Sequence, residues 1–299
     1  MAANYWESSQ RKYWTFSKKG LADVRRAQES EPANKQLIAT YPLPERRLLN
    51  IYFHLQLAKL AKRMSVRQQA LATAQVYMRR YYTKVEIRTT NPYLVLATSL
   101  YLACKMEECP QHIRIVVGEA RQLWPELISS DTSKLGECEF NLISTMNSQL
   151  IVHHPYRSFI DLQTTFSLVQ EEVSLAWSAI NDHFLTDLPL LHPPHVVAIT
   201  AVLLAVVLKP TQGNLQSHAQ SLQTAMSTIA VPPSNTAPTT AQARIQKLIT
   251  WLAESSVSIE AVVDCVQELI SLYDVWESFN EKQCKEQITR FVKALALDK

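Results

Sequence analysis

Apolar residues recur at helical spacing along most of this chain. Between residues 44 and 64, Leu48, Ile51, Tyr52 and Leu55 fall near i, i+3, i+4 and i+7, which predicts an amphipathic helix. Ser65-Val-Arg-Gln68 reads as a capping box opening a second helix that runs to about Tyr82. Asn91-Pro92 reads as an N-cap followed by proline at the first helical position. The helix it opens, to about Glu108, is apolar all round, so it belongs in the middle of a domain with other helices around it. A fourth helix is expected over about 113–124, stopped by Pro125, and a fifth from Thr132 to about Ser148, capped by Asp131.

The pattern then restarts. Helices are predicted over Pro155–Phe166, Gln170 to about Leu188, and Val196–Leu208, the last opened by Pro193-Pro194 and again apolar all round. Further helices fit about 241–254, 259–279 and 281–297. Pro92, Val95, Leu102 and Ala103 correspond to Pro194, Val197, Leu204 and Ala205 at a constant offset. The spacing is too long for a solenoid of short repeats. It predicts an all-α protein of two five-helix domains of one design, each with its third helix buried. Residues 4–20 predict a short aromatic helix bearing Trp6, Tyr13, Trp14 and Phe16, followed by a polar stretch up to Pro42. Residues 211–240 hold no charged side chain and are rich in Ser, Thr, Gln, Ala and Pro; they read as a mobile insertion in the second repeat.

Composition supports this picture. The chain of 299 residues has only four glycines, where average usage of about 7% would give roughly twenty. Gly-rich phosphate loops of the Rossmann and P-loop kinds are therefore excluded. Five cysteines without CxxC spacing argue for reduced thiols and against a disulfide scaffold or zinc ribbon. The N-terminus has no apolar signal segment, and the Val196–Leu208 run falls short of the roughly 20 residues of a membrane span. A soluble intracellular protein is expected.

Charge is uneven. Residues 1–150 carry 21 basic and 13 acidic residues, and residues 151–299 carry 9 and 14. Arg46, Arg47, Lys59, Lys62, Arg63, Arg67, Arg79, Arg80, Lys84 and Arg88 supply much of the basic surplus. A solvated helix face, an acidic protein partner and a nucleic acid are all compatible with it. The scattered placement favours the solvated face.

No catalytic constellation is present: no nucleophile elbow, no metalloprotease helix, no Walker or EF-hand pattern. His153-His154 and the His192/His195 pair lack accompanying cysteines or carboxylates at ligand spacing, so packing and capping explain them, and no metal or cofactor is expected. Two charges stand out by position. Lys105 directly follows the long apolar run, where a helix C-terminus would favour a cation. Glu139 interrupts the stripe Leu135, Leu142, Ile143, Met146, where a carboxylate is costly unless paired or at an interface. Trp177 and Asn181 share a helix face at i, i+4, with Asp182 beside them; with Trp6 they form a candidate second partner surface.

The segments YLACKMEE (101–108) and LGECEFNLI (135–143) resemble the cyclin box. NYWESSQ near the N-terminus, RQQALATAQVYMRRYY (67–82), LIVHHPYRSF (150–159) and LAWSAINDHF (175–184) resemble the C-type branch, whose cyclin serves the Mediator kinase module. The likeness spans nearly the whole chain except 211–240, in a fungal-type form with that insertion. It implies tandem cyclin boxes at 44–150 and 151–280, an N-terminal helix and connecting segment in 1–43, and a C-terminal helix in 281–299. It implies that Lys105 and Glu139 bind a cyclin-dependent kinase, which the chain activates without being an enzyme. The partners implied are that kinase and other Mediator kinase-module subunits, in the nucleus, regulating RNA polymerase II transcription. No direct nucleic-acid or membrane contact is expected. Two departures stand out: Arg79 replaces the aspartate of cell-cycle cyclins, and PERRLLN (44–50) replaces their apolar docking sequence, so docking of their kind is not expected here. Arg46-x-x-Leu49 lies inside a predicted helix and is not read as a degradation signal. The alternative is an initiation factor built on tandem cyclin-like repeats that bridges DNA and polymerase. It would carry a zinc ribbon before the repeats and a strongly basic second repeat, and this chain has neither.

Overall fold

The computed structural model describes residues 4–208 and 240–298. Among them the chain forms α-helices and three short 3-10 turns, with no strand. The expected insertion at 211–240 lies outside the described residues except for Thr240. By internal contacts the chain divides into two compact units. The first comprises Met1–His154, Phe184–Leu191 and Ser271–Lys299; the second comprises Pro155–His183 and His192–Ile270.

The first unit holds α1 (Ser9–Tyr13), α2 (Lys18–Ser30), α3 (Pro32–Thr40), α4 (Arg46–Arg63), α5 (Gln68–Tyr81), α6 (Pro92–Met106), α7 (Ile113–Leu123) and α8 (Thr132–Thr145). α6 is its axis: Tyr93, Leu96, Ala97, Leu100, Ala103 and Cys104 are fully buried, and α4, α5, α7 and α8 pack around it. Asn91 caps it as expected, accepting from the Tyr93 amide at 3.0 Å while its own amide donates to the Leu127 carbonyl at 2.6 Å. Asp131 caps α8 in the same way, through the Ser133 amide at 2.9 Å. The C-terminal helix Glu281–Ala294 also belongs to this unit, burying Cys284, Ile288, Phe291 and Val292. Gln56 ties it in, accepting from the Trp124 indole at 3.0 Å and donating to Glu281 at 2.8 Å.

The second unit contains α9 (Pro155–Phe166), α10 (Gln170–Asp182) and α12 (Pro194–Val207). It also holds α13 (Thr240–Glu254) and the first part of α14 (Ile259–Glu277). α12 repeats the role of α6: Val196 to Ala205 is buried almost throughout, against α9, α10 and α13. Between α10 and α12 the expected long helix breaks at Asp182. It continues as the 3-10 turn His183–Leu185 and the short α11 (Leu188–Leu191).

Three further expectations are corrected. The aromatic N-terminal helix is the 3-10 turn Tyr5–Glu7 followed by the short α1, and the polar stretch after it forms α2 and α3. These helices bury few residues, Leu21, Gln28 and Asn34 among them, so they leave almost no apolar periodicity to read. Ser65 does not cap α5, whose N-cap is Arg67 without a side-chain bond. Ser65 instead closes α4 in the left-handed region at φ 52°, with the Val66 amide donating back to the Ala61 carbonyl at 2.9 Å. Glu108, Ser148, Ser167 and Ala296 take the same conformation at helix ends, at φ 50–56°. A chain with four glycines thus terminates helices with residues that carry a Cβ.

The third correction concerns charge. Lys59, Lys62, Arg63, Arg67 and Lys84 are exposed, but Arg80 is fully buried and Arg88 nearly so. Arg80 donates to the Gln149 carbonyl at 2.8 Å and lies over the Trp14 ring, whose indole donates to the Gln149 side chain at 2.7 Å. Arg88 pairs with buried Glu86 and donates to the Tyr41 carbonyl at 2.7 Å.

Candidate functional site

α6 ends abruptly. Glu108 turns left-handed at φ 53°, and the Cys109 amide donates to the Cys104 carbonyl at 2.9 Å. The stop leaves Lys105 in the last turn, where the helix dipole favours a cation. Its ammonium pairs with Glu139 Oε1 on α8 and sits over the Tyr101 ring, 4.5 Å from the centroid. The two residues, 34 positions apart, therefore meet on one edge of the first unit. The Lys105 side chain stays 39% exposed and that of Glu139 15%. Of the rest of the Glu139 stripe, Leu135, Leu142 and Met146 are buried and Ile143 is partly buried.

Glu107 anchors this edge from behind. It accepts from Thr73 at 2.5 Å and Gln69 at 2.6 Å, with His154 Nε2 at 3.9 Å. Burial pushes its carboxyl up, but bonds from His154, Thr73 and Gln69 outweigh that and hold it below the usual carboxylate range. The end of α6 is thereby tied to α5. The Cys138 thiol beside Glu139 is pushed up to about 11, first by burial.

Two residues of this edge escape a periodicity reading. Phe140, next to Glu139, is 76% exposed, and Met106, next to Lys105, is 40% exposed. The signal for Phe140 is its place off the apolar stripe of α8, where an aromatic ring has no core to enter.

The other candidates have separate settings. Trp6 is half-exposed in the first unit, with Arg11 over its ring at 5.2 Å. Trp177, Asn181 and Asp182 lie in the second unit, each partly buried. Trp177 stacks on Tyr156 at 5.2 Å and meets Phe159 edge-on at 5.3 Å. Asn181 accepts from the Tyr156 hydroxyl at 3.1 Å. Of the histidines, His153 exchanges backbone bonds with the Gln10 side chain at 2.7 and 3.3 Å, and the His154 ring bonds Thr73 at 2.7 Å. Among the described residues no group of three or more His, Cys, Asp or Glu could hold a metal ion.

Residues 23–151 match the family described as cyclin, N-terminal domain, a span that encloses the buried helix α6 and both members of the ion pair. Over its full length the chain is 59% identical to a relative from Aspergillus oryzae named RNA polymerase II holoenzyme cyclin-like subunit, itself covered in full. The chain is a cyclin. A relative of the same name from Neurospora crassa is 49% identical, again over both whole chains. Among solved structures, this cyclin is similar to a chain of the CAK complex from Chaetomium thermophilum bound to ATP-γ-S. The TM-score is 0.64 at 19% identity, covering 99% of this chain and 88% of that one. It is also similar to a chain of the yeast TFIIK complex, with TM-score 0.55 at 19% identity, covering 89% of this chain and 100% of that one. At these identities the likeness establishes the fold, and the tandem cyclin boxes agree with it.

Proposed function

We propose that this cyclin is the regulatory, non-catalytic subunit of a cyclin-dependent kinase in the Mediator kinase module, acting in the nucleus on RNA polymerase II transcription. The relatives' name places those proteins in the RNA polymerase II holoenzyme, which supports the setting. The observation that carries the reading is the Lys105–Glu139 pair, half-open on one edge with Phe140 and Met106 presented beside it. An ion pair whose lysine stays open to solvent is screened, and contributes less to folding than an enclosed one. Next to exposed apolar side chains it suits a protein interface with a charged register.

Activation follows as a population shift. A kinase needs its mobile helix placed so that a glutamate reaches the ATP-binding lysine. A cyclin that binds the active placement more tightly than the inactive one moves the equilibrium by that difference in affinity. In this reading the first box, residues 44–150, meets the kinase. The second box, 151–280, offers Trp177, Asn181 and Asp182 to another module subunit, and Trp6, in the first unit, is a separate candidate contact.

The test is a pull-down of the full-length cyclin from nuclear extract, with kinase activity assayed in the eluate. The wild-type chain should bring down a cyclin-dependent kinase together with Mediator kinase-module subunits, and Glu139→Ala should lose the kinase. A folded Glu139→Ala cyclin that retains full kinase binding and activation defeats the site assignment. Capture of DNA and initiation factors without a kinase defeats the function.

A further inference from the structure

Three arginines of the first unit converge on one carboxylate. Arg25 lies on α2, Arg46 opens α4, Arg79 is near the end of α5, and Asp187 precedes α11. Arg25 grips Asp187 with two parallel bonds of 2.7 and 2.8 Å. Asn50 approaches the same carboxylate at 3.4 Å. Arg79 Nη1 stands 3.7 Å from it, and the other terminal nitrogen donates to the Phe184 carbonyl. Arg46 has no hydrogen-bond or ion-pair partner among the described residues, although Asp187, Glu86 and Glu29 all lie near enough to feel its charge. Glu86 is already taken by Arg88.

One aspartate balances one arginine, so the cleft holds a positive surplus. Arg79 is spent on the Phe184 carbonyl and on Asp187, so burying the surplus is costly and Arg46 carries the charge left over. The Nε atoms of Arg25 and Arg79 are buried and have no acceptor, which leaves donors unspent in the same space. Desolvation lowers the pKa of Arg46, and the neighbouring Arg25 lowers it further; desolvation also pushes Arg79 down to about 10. Arg79 stays cationic at neutral pH. His54 on the cleft wall is pushed down to about 4 by burial and then by Arg79, so it is neutral there.

The rest of the wall is apolar: Leu49, Phe53, Leu57, Met78 and Ile87 line it with Tyr82. About 30 Å³ between these side chains is open to the centre of a water-sized group, room for one small anion at the arginines. A nucleic acid would need a row of cationic positions along a groove to follow successive phosphates. This cleft concentrates its charge at a single point.

We propose that the cleft between Arg25, Arg46 and Arg79 is a docking site for the phosphoryl group of phosphoserine or phosphothreonine on an extended peptide. The arginine forks match phosphoryl oxygens, and the dianion neutralises the surplus that Asp187 leaves. The site lies outside the Lys105–Glu139 edge and does not depend on the function proposed above.

The experiment uses the full-length cyclin and four probes. These are a labelled five-residue peptide with phosphoserine between two leucines, its unphosphorylated twin, inorganic phosphate, and a short oligouridylate. The phosphopeptide should bind at least about tenfold more tightly than its twin, and inorganic phosphate should displace it. Arg46→Gln should weaken phosphopeptide binding by at least about tenfold without lowering the melting temperature, because it removes a charge with no partner to lose. Arg46→Lys, which keeps the charge but not the fork, should fall between. Equal binding of the twin, or unchanged binding by Arg46→Gln, overturns the proposal. So does displacement of the phosphopeptide by oligouridylate at equal concentration, which would make the cleft a nucleic-acid site. A fall in the melting temperature of Arg46→Gln without phosphate would make the guanidinium structural and also overturns it.

Discussion

Lys105 pairs with Glu139 across the junction of α6 and α8, yet the lysine keeps 39% of its side chain in solvent. The pair is held by its position at the end of a buried helix, not by enclosure. A partner that covers it would find a carboxylate already aligned and an ammonium able to turn outward.

Truncating one member of a charge pair that becomes desolvated in a complex costs about 2–5 kcal/mol. At 1.4 kcal/mol per decade that is roughly a thirtyfold or greater loss of affinity. Glu139→Ala and Lys105→Ala should each show this against the kinase. In the free cyclin the same changes should cost no more than about 1 kcal/mol. Binding titrations and thermal melts of each variant check both halves. A melting loss that matches the binding loss makes the pair a structural one.

Phe140 presents 76% of its surface to solvent on the same edge. Phe140→Ser should leave the melting temperature unchanged or raise it slightly, since an exposed ring contributes no core packing. Kinase affinity should fall by an order of magnitude or more, as for a buried aromatic anchor of an interface, worth about 2 kcal/mol. Undiminished affinity would place the interface elsewhere.

Asn181 accepts from Tyr156 within the second unit, so a mutation there has two readings. Changing Asn181 and Asp182 to Ala should weaken a ternary complex with a further module subunit while binary kinase binding survives. Tyr156→Phe removes the internal hydrogen bond alone. If it weakens the ternary complex as much as the double variant does, the effect comes from loss of the second unit's own packing.

His54 titrates with the fold. Its folded pKa is about 4 against an ordinary 6.5, through burial and then the charge of Arg79, with Gln75 opposing at 3.0 Å. The unfolded chain therefore binds more protons between those values. The resulting stability is full above pH 6.5 and drains away as pH falls toward 4, by up to about 3 kcal/mol. Melting curves from pH 7.5 to 4.5 should converge between wild type and His54→Gln at one end and diverge at the other, the variant having the flatter profile. Parallel curves would show that His54 charges freely in the folded state.

Ser65 at φ 52° and Ala296 at φ 53° both occupy a conformation that favours glycine. Ser65→Gly and Ala296→Gly should each stabilise the cyclin by about 0.5–1 kcal/mol, the relief of left-handed strain exceeding the added freedom of the unfolded chain. Thermal melting of the single and double variants is the check. A lower melting temperature would mean that the serine hydroxyl or alanine methyl makes a contact worth more than the strain.

Sequence alone determined the parts of this cyclin that depend on neighbours in the chain. Asn91 and Asp131 cap the helices that follow them, and Pro92, Pro155 and Pro194 each stand at a first helical position, because capping is satisfied within two or three residues. The all-apolar runs that become α6 and α12 announced two buried axes, since a helix without a polar face has nowhere else to go. Tertiary structure decided what depends on distant partners. Ser65 has the composition of an N-cap and serves as a helix terminator, because the α4 end and not the α5 start claims it. α2 is held by Arg25 gripping Asp187, 162 residues away, a bond no local pattern could show. Arg80 looked like one more basic residue on a helix face until Trp14 and the Gln149 carbonyl enclosed it. Lys105 and Glu139 were each conspicuous in the sequence, but only the packing of α6 on α8 brings the two charges into contact.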